Sequence, residues 1–234
     1  MAAAVACGQN APETRTLDRV VAVVNNRAIL LSDVEEELRL AVLDPGQAGQ
    51  VDLTPQKALE RLISRALIQQ QIRREEEQAT EPDKEEVQSR LGELRREMPS
   101  CVHSNCSSDT GWAAFLAAHG LTPERVERSL QNRIEILRFI ELRFRAGLRI
   151  TPEETEEYYR TYLVPAFKPG DKIPSLDMVS KRIEEILLEK RVNSLFDQWL
   201  DNLRKQGDVE VLDPELESKP TAEPAASDGK EALR

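Results

Sequence analysis

Apolar and polar positions near the start of the chain predict a β-hairpin that leads directly into a helix. Residues 20–24 are all apolar and, except for one alanine, β-branched, which favours a strand buried on both faces. The two asparagines that follow tolerate positive φ, so they can close a tight turn into a second strand over residues 28–31. Ser32, with Glu35 three residues later, then predicts a capping box at the start of an acidic helix.

Beyond this hairpin, apolar residues recur at helical spacing over most of the chain. Helix starts are predicted where a threonine caps the helix and a proline takes its first position, at Thr54-Pro55, Thr122-Pro123 and Thr151-Pro152. Other helices are predicted over residues 32–43, from Glu81-Pro82 to Met98, over 112–118 and over 175–206. The Thr-Pro pairs are irregularly spaced, so they indicate capping chemistry rather than an internal repeat.

The helix that begins at Thr122-Pro123 is predicted to lie at the centre of the core. One face carries apolar residues at helical intervals, namely Val126, Leu130, Ile134, Leu137 and Phe144. Further apolar residues widen that face, namely Ile136, Phe139 and Ile140. Because aromatic residues make up only 4% of the chain, the rest of the core is expected to be mainly aliphatic.

Another good strand candidate lies near the other end of the chain, over residues 209–212. An isolated two-stranded hairpin is marginally stable and needs a further strand or a helix layer. We therefore expect the two ends of the chain to meet, with the C-terminal strand added to the N-terminal hairpin. The predicted fold is mainly α, a multi-helix module with one small β-sheet.

These elements divide the chain into three regions. A leader is predicted over residues 1–16, one folded domain over 17–212, and a tail over 213–234. The tail is rich in proline, alanine and acidic residues and has no periodicity, so it is expected to be disordered. Within the domain we predict a helical core, a proline-containing linker, and a closing helix and strand, over residues 32–163, 164–174 and 175–212.

The leader leaves two interpretations open. Residues 4–6 have small side chains of the kind that end a secretory signal, and Cys7 before a glycine suggests a lipoprotein site. The stretch has no basic start and is too short for the apolar segment of a full signal, which favours a disordered leader instead. Cys7 is accordingly either lipidated or part of an unstructured segment.

The net charge of the chain argues against two classes of binding partner. The chain has 42 acidic and 32 basic residues and a formal net charge of −10. Nucleic-acid phosphates and anionic membrane surfaces would be repelled, so we expect neither as a general partner. No apolar run approaches the roughly 20 residues needed to span a bilayer, so no transmembrane segment is expected.

Two further cysteines, Cys101 and Cys106, lie in a short polar loop between predicted helices. A disulfide closing this loop would suit an oxidising compartment, and free thiols are the next alternative. A zinc site that also uses His103 and His119 is a third alternative, although the spacing matches no common zinc motif.

The sequence offers no catalytic constellation. It contains no glycine-rich phosphate loop, nucleophile elbow or His-Glu metal helix. Its two histidines are interpreted as solvated loop residues, and its runs of glutamate as solvated helix faces. We therefore expect no catalytic residues, no cofactor and no resident metal.

A binding role fits the pattern better, because helices joined by loops leave grooves that an extended, unfolded chain can enter. The aromatic residues are the candidate contacts, although each also fits an ordinary core position: Trp112, Phe115, Phe139, Phe144, Tyr158, Tyr159, Phe167 and Trp199. Tyr159 and Phe167 flank the linker and are expected to be the most exposed of the set. Acidic faces around such a groove would keep a loaded protein soluble.

The N-terminal segment DRVVAVVNNRAILLSDVEEEL resembles the start of the SurA-like periplasmic chaperones, with a valine-rich strand, paired Asn and a Ser-Asp helix start. The resemblance extends to about Leu148 and resumes over residues 176–212. In the second region, the closing helix and strand of that module are similar to the segment IEEILLEKRVNSLFDQWLDNLRKQGDVEVL.

The chain departs from the family pattern at two places. Arg27 takes the place of the usual Gly after the paired Asn, and residues 161–174 are too few for the parvulin-type isomerase domain of many relatives.

The resemblance implies an ATP-independent holding chaperone in the periplasm that binds unfolded or partly folded envelope and outer-membrane proteins. The second hypothesis is a structural or assembly subunit that binds one folded partner or, as a dimer, a second copy of itself. The third hypothesis, a peptidyl-prolyl isomerase, ranks last because the domain that carries this activity in the family is not visible.

Overall fold

The structure, a computed structural model, describes residues 18–44, 53–75, 81–98, 101, 104–168 and 170–217. The strands are β1 (Val20–Val24), β2 (Arg27–Leu30) and β3 (Val209–Val211). The helices are α1 (Leu31–Leu40), α2 (Pro55–Arg74), α3 (Lys84–Glu97), α4 (Asp109–Ala118), α5 (Pro123–Ile140), α6 (Pro152–Tyr158), α7 (Val164–Ala166) and α8 (Leu176–Gln206). The predicted mainly α fold with a small sheet is confirmed.

Strand β1 is the centre of the sheet, and the two ends of the chain meet on it. The strand order is β2-β1-β3, and both pairs are antiparallel. Val23 lies opposite Ala28 in β2 and opposite Glu210 in β3. The predicted addition of the C-terminal strand to the hairpin is therefore confirmed, and it gives β1 hydrogen-bonded neighbours on both edges.

The hairpin turn is made as predicted, whereas the start of α1 differs from the prediction. Asn25 has a φ of 56°, the positive value that asparagine tolerates. The carboxylate of Asp33 accepts the backbone N–H of Leu30 at 2.9 Å, and the hydroxyl of Ser32 donates to Asp18 instead of capping the helix. The predicted capping box at Ser32 is wrong because β2 passes into α1 without a loop, so the cap falls on Leu30.

Ser32 also affects the electrostatics of the residue it contacts. Its hydroxyl, together with the backbone N–H of Arg19, donates to Asp18. These hydrogen bonds, the one from Ser32 first, hold the pKa of the Asp18 carboxyl below its ordinary value because they stabilise the charged form.

The three Thr-Pro helix starts are confirmed. Thr54, Thr122 and Thr151 each accept the backbone N–H three residues later, at 3.3, 3.4 and 3.3 Å. Two other helices begin at caps that differ from the prediction. Asp83 caps α3 by accepting the backbone N–H of Glu86, and Ser108 caps α4, which therefore starts before Trp112.

The described residues form three core clusters. The first joins the sheet with α1 and α2, and the second joins α3, α4 and the first half of α5. The third lies where α2, α5 and α8 meet, around the fully buried Phe139. The buried face of α5 therefore turns along its length, and Leu137, predicted to be in the core, is 56% exposed.

The ordered chain extends beyond the domain boundary predicted at Leu212. Leu216 is buried in the cluster around the sheet, and the buried carboxylate of Asp213 pairs with Arg19 at 2.7 Å. The tail was predicted to begin at residue 213, and its residues 218–234 lie outside the described part. In the predicted linker, residues 164–166 are helical, and residues 167–168 and 170–174 belong to no helix or strand.

The cysteine loop is closed by a disulfide between Cys101 and Cys106, with an S–S distance of 2.07 Å. Both residues are buried in the cluster of α3, α4 and α5. The guanidinium of Arg95 donates to the carbonyl of Cys106 at 2.7 Å and thereby ties the loop to α3. His119 bonds the carbonyl of Phe115 through Nδ1 at 2.8 Å, and His103 lies outside the described residues.

None of the described helices is both long and apolar enough to cross a membrane.

We expect Leu216→Ala to lower the free energy of unfolding by about 2 to 3 kcal/mol, because the change removes a buried side chain from the sheet cluster. Leu212→Ala is the matched control, since Leu212 is 46% exposed and should cost less than about 0.5 kcal/mol. Urea unfolding measures both values. Equal losses for the two variants would contradict the packing of the C-terminal turn against the sheet.

Reducing the disulfide should lower the free energy of unfolding by about 2 kcal/mol, the loop-closure contribution expected for so short a loop. Urea unfolding with and without dithiothreitol measures this difference. The variant Cys101→Ser/Cys106→Ser serves as the control and should be insensitive to the reductant. A wild-type protein that is fully reduced by mass spectrometry yet equally stable would refute the contribution.

Candidate functional site

An open groove of about 750 Å³ lies between α1, α2, α5 and α8, and we call it the central groove. Its lining residues come from these four helices, from the short turn after α1 and, through Leu94, from α3. The groove lies where two of the core clusters adjoin, since Leu43 and Leu130 of the second cluster and Ile68 of the third contribute to its lining. It is therefore a gap that the packing of the helices leaves open.

Part of the lining of the central groove is apolar, and we call this part the floor. Its members are contributed by different helices, namely Leu40, Ile68, Ile136, Leu137, Phe196 and Leu200. Leu137 is the most accessible of them, with 56% of its surface open to solvent. An exposed aliphatic surface in a concave site is available to bury apolar side chains of another molecule.

One wall of the groove is held by a partly buried ion pair between α1 and α2. The guanidinium of Arg65 donates to both carboxylate oxygens of Glu37, at 2.8 and 3.0 Å. Glu37 is 6% exposed, so loss of its partner would leave a charge in a poorly solvated position. This pair fixes the separation of the two helices at the groove.

A shared carboxylate holds the end of the groove formed by the turn after α1. Asp44 accepts from Arg61 of α2 through Oδ2 and from Arg133 of α5 through Oδ1, each at 3.1 Å. The three residues therefore link three segments of the chain at one point.

The wall formed by α8 is attached to α2 by a further polar contact. Arg204 donates through Nη2 to the carboxylate of Glu60 at 3.0 Å and to the hydroxyl of Ser64 at 2.7 Å. Arg204 lies one turn beyond Leu200 of the groove floor, so this contact sets the position of the floor residues on α8.

An aromatic cluster adjoins the groove, and Phe196 belongs to both. The cluster is formed by Phe139, Phe144, Phe196 and Trp199, with ring centroids 5.5 to 6.2 Å apart. The guanidinium of Arg143 lies 5.4 to 5.9 Å from three of these rings, in the range of cation–π attraction.

Arg143 reaches this position from a π-helical turn, Glu141–Arg145, that follows α5. Its Nη1 also donates to both carboxylate oxygens of Glu75 at 2.8 Å, which joins the turn to the end of α2. A π-turn inserts an extra residue into a helix and so changes the direction of the side chains that follow. The local break in α5 thus places a cation over the aromatic cluster.

The predicted aromatic contacts do not come together in one site. Trp112 and Phe115 are 6% and 3% exposed and stack on each other within the second core cluster, and Phe139 is fully buried. Phe144 and Trp199 are half-buried in the aromatic cluster. Buried side chains of this kind stabilise the fold and are not presented to another molecule.

The remaining predicted aromatics lie around α6 and the segment after it. Tyr158 and its neighbour Tyr162 lie 5.1 Å apart, with the ammonium of Lys190 5.1 Å from the ring of Tyr158. Tyr159 donates its hydroxyl to the carbonyl of Pro174 at 2.7 Å, and both Tyr159 and Phe167 are half-buried rather than exposed. None of these residues lines the central groove.

The groove residues that the sequence interpretation missed are mainly Phe196 and Leu200 of α8. They stand four residues apart, and Leu203 follows three residues later, which is the spacing of one helix face. The signal was present, but the contact predicted on this helix was Trp199, which belongs to the aromatic cluster and does not line the groove. Leu137 was recognised as apolar but assigned to the core.

Arg143→Ala should lower the free energy of unfolding by about 1 to 2 kcal/mol, because it removes the cation over three rings and the partner of Glu75. Arg145→Ala is a control in the same turn, with an exposed ion pair to Glu141 whose loss should cost about 0.5 kcal/mol or less. Urea unfolding followed by tryptophan fluorescence measures both. Indistinguishable variants would show that Arg143 does not stabilise the aromatic cluster.

No group of three or more His, Cys, Asp or Glu side chains in the described part of the chain is placed to hold a metal ion. No protein-family model matches the chain, and no curated protein matches it. We therefore infer its function from the residues of the central groove.

Proposed function

We propose that this protein is an ATP-independent holding chaperone that binds unfolded envelope proteins in the central groove. The observation that carries the proposal is the open, apolar floor, in which Leu137 is left 56% exposed between helices held by ion pairs. Binding would bury apolar side chains of an unfolded client and release it again without bond chemistry. Burial of apolar surface is favourable in proportion to area and independent of sequence, which suits many clients.

The size of the groove supports a short segment of polypeptide as its occupant. Its volume of about 750 Å³ falls within the range of about 300 to 1,000 Å³ that is typical of ligand sites. An extended segment directs alternate side chains to the same face, so every second residue of a client can rest on the apolar floor.

Three properties of the chain agree with this proposal. The terminal segments resemble SurA-like chaperones, and the net charge of −10 would favour solubility of a loaded complex. The disulfide between Cys101 and Cys106 suits an oxidising compartment, such as the periplasm that the resemblance implies.

A second candidate function is an assembly subunit that binds one folded partner. Large apolar side chains that do not line the groove favour it, since Tyr162 is 60% exposed and Met178 is 79% exposed. The range of clients separates the two proposals, because a holding chaperone binds many unfolded chains weakly and a dedicated subunit binds one folded surface. An isomerase would instead accelerate cis/trans exchange of a prolyl peptide.

The protein should suppress light scattering when urea-unfolded outer-membrane proteins are diluted into buffer without ATP. Leu137→Gln should raise the concentration needed for half-maximal suppression about five-fold, because a polar side chain replaces part of the apolar floor. Leu142→Gln is the matched control, since Leu142 is 49% exposed, lies five residues further along and does not line the groove.

Urea unfolding of both variants confirms that each retains its fold. Equal suppression by the wild type and both variants would exclude the central groove as the client site. Failure of the wild type to suppress the scattering of several unrelated clients would exclude the holding function and favour the assembly subunit.

A further inference from the structure

The charges around the central groove are unequal. Its lining contains more arginine than acidic side chains, namely Arg61, Arg65, Arg133 and Arg204 against Glu37, Asp44 and Glu60. This excess of positive charge lies within a protein whose formal net charge is −10. The groove is therefore a local exception to the acidic character of the chain.

The excess is located at the Asp44 end. Arg65 pairs with Glu37 and Arg204 pairs with Glu60, so each of these cations has a carboxylate of its own. Asp44, in contrast, is shared by two guanidinium groups. Among the described residues that line the groove, one positive charge at this end is thus left without a matching carboxylate.

The geometry leaves Arg133 able to bind a further anion. Its contact with Asp44 is made through Nη1 at 3.1 Å, and a guanidinium has five N–H donors arranged to bind carboxylates. The side chain of Arg133 is 55% exposed, which makes its other donors accessible from the groove.

Apolar surface adjoins this cation along α5. Leu130 precedes Arg133 by three residues and Leu137 follows it by four, and all three line the groove. Residues at these intervals lie side by side on a helix, about 5 to 6 Å apart. A ligand that reaches Arg133 can therefore contact the apolar floor at the same time.

From this arrangement we infer that the central groove prefers unfolded segments in which an Asp or Glu side chain stands beside apolar residues. The apolar residues lie on the floor, and the carboxylate binds Arg133 with support from Arg61. Segments that carry lysine at the same position are disfavoured because like charges meet. The inference rests on the proposed function, of which it specifies the client chemistry.

The test uses the full chain and fluorescently labelled peptides of one apolar sequence, with Glu, Gln or Lys at a central position and both ends blocked. Fluorescence anisotropy gives the dissociation constants. The Glu peptide should bind about five-fold more tightly than the Gln peptide, the gain expected for one accessible ion pair, and the Lys peptide should bind most weakly. Added salt should reduce the difference.

The variant Arg133→Gln should abolish the preference for Glu, so that the Glu and Gln peptides bind this variant equally tightly. Arg182→Gln is the matched control, because Arg182 is 76% exposed, pairs with Glu185 and does not line the groove. This control should keep the full preference. A preference for Glu that persists in Arg133→Gln would overturn the inference.

Other outcomes separate this inference from the proposed function. Equal binding of the Glu and Gln peptides would overturn the carboxylate preference while leaving the holding function in place. Absence of binding for every peptide would overturn both. A fourth peptide has Gln at the central position and a free terminal carboxylate, and tighter binding of this peptide than of the Glu peptide would overturn the assignment to a side-chain carboxylate.

Discussion

The pairing of β3 with β1 is the interaction on which the geometry of the groove depends. Helix α8 forms one wall of the groove, and its C-terminal end leads through Gly207 directly into β3. Because β3 is hydrogen-bonded to β1, the end of α8 is fixed against the sheet and therefore against α2. The floor residues on α8 take their positions from this attachment.

Ion pairs complement this attachment by keeping the groove open. Apolar walls in water tend to close on each other, since contact removes their surfaces from solvent. Here neighbouring helices are joined by contacts of fixed geometry, with Glu37 and Arg65 between α1 and α2 and Asp44 between α2 and α5. These polar contacts and the apolar floor together form a preformed groove.

The sheet and the threonine-capped helices could be predicted from the sequence, because a β-branched run or a capping side chain determines the backbone conformation of the few residues around it. The sequence was insufficient to predict the groove, whose surface is created by the relative placement of four helices. Leu137 illustrates the limit, since its position in the stripe of α5 is the same whether the neighbouring helix covers it or leaves it open. The start of α1 was missed for a related reason, because β2 continues directly into the helix and Asp33, rather than Ser32, bonds the backbone of Leu30.

The contact between the two ends of the chain also has a consequence for the order of folding. Asn25 accepts a hydrogen bond from the backbone of Asp208, 183 residues further along, so the third strand joins the sheet only after nearly the whole domain has been synthesised. Until then β1 presents an unpaired edge of valine-rich backbone, the kind of edge that recruits other chains. During synthesis, the chain would therefore need this edge to be shielded until β3 has been made.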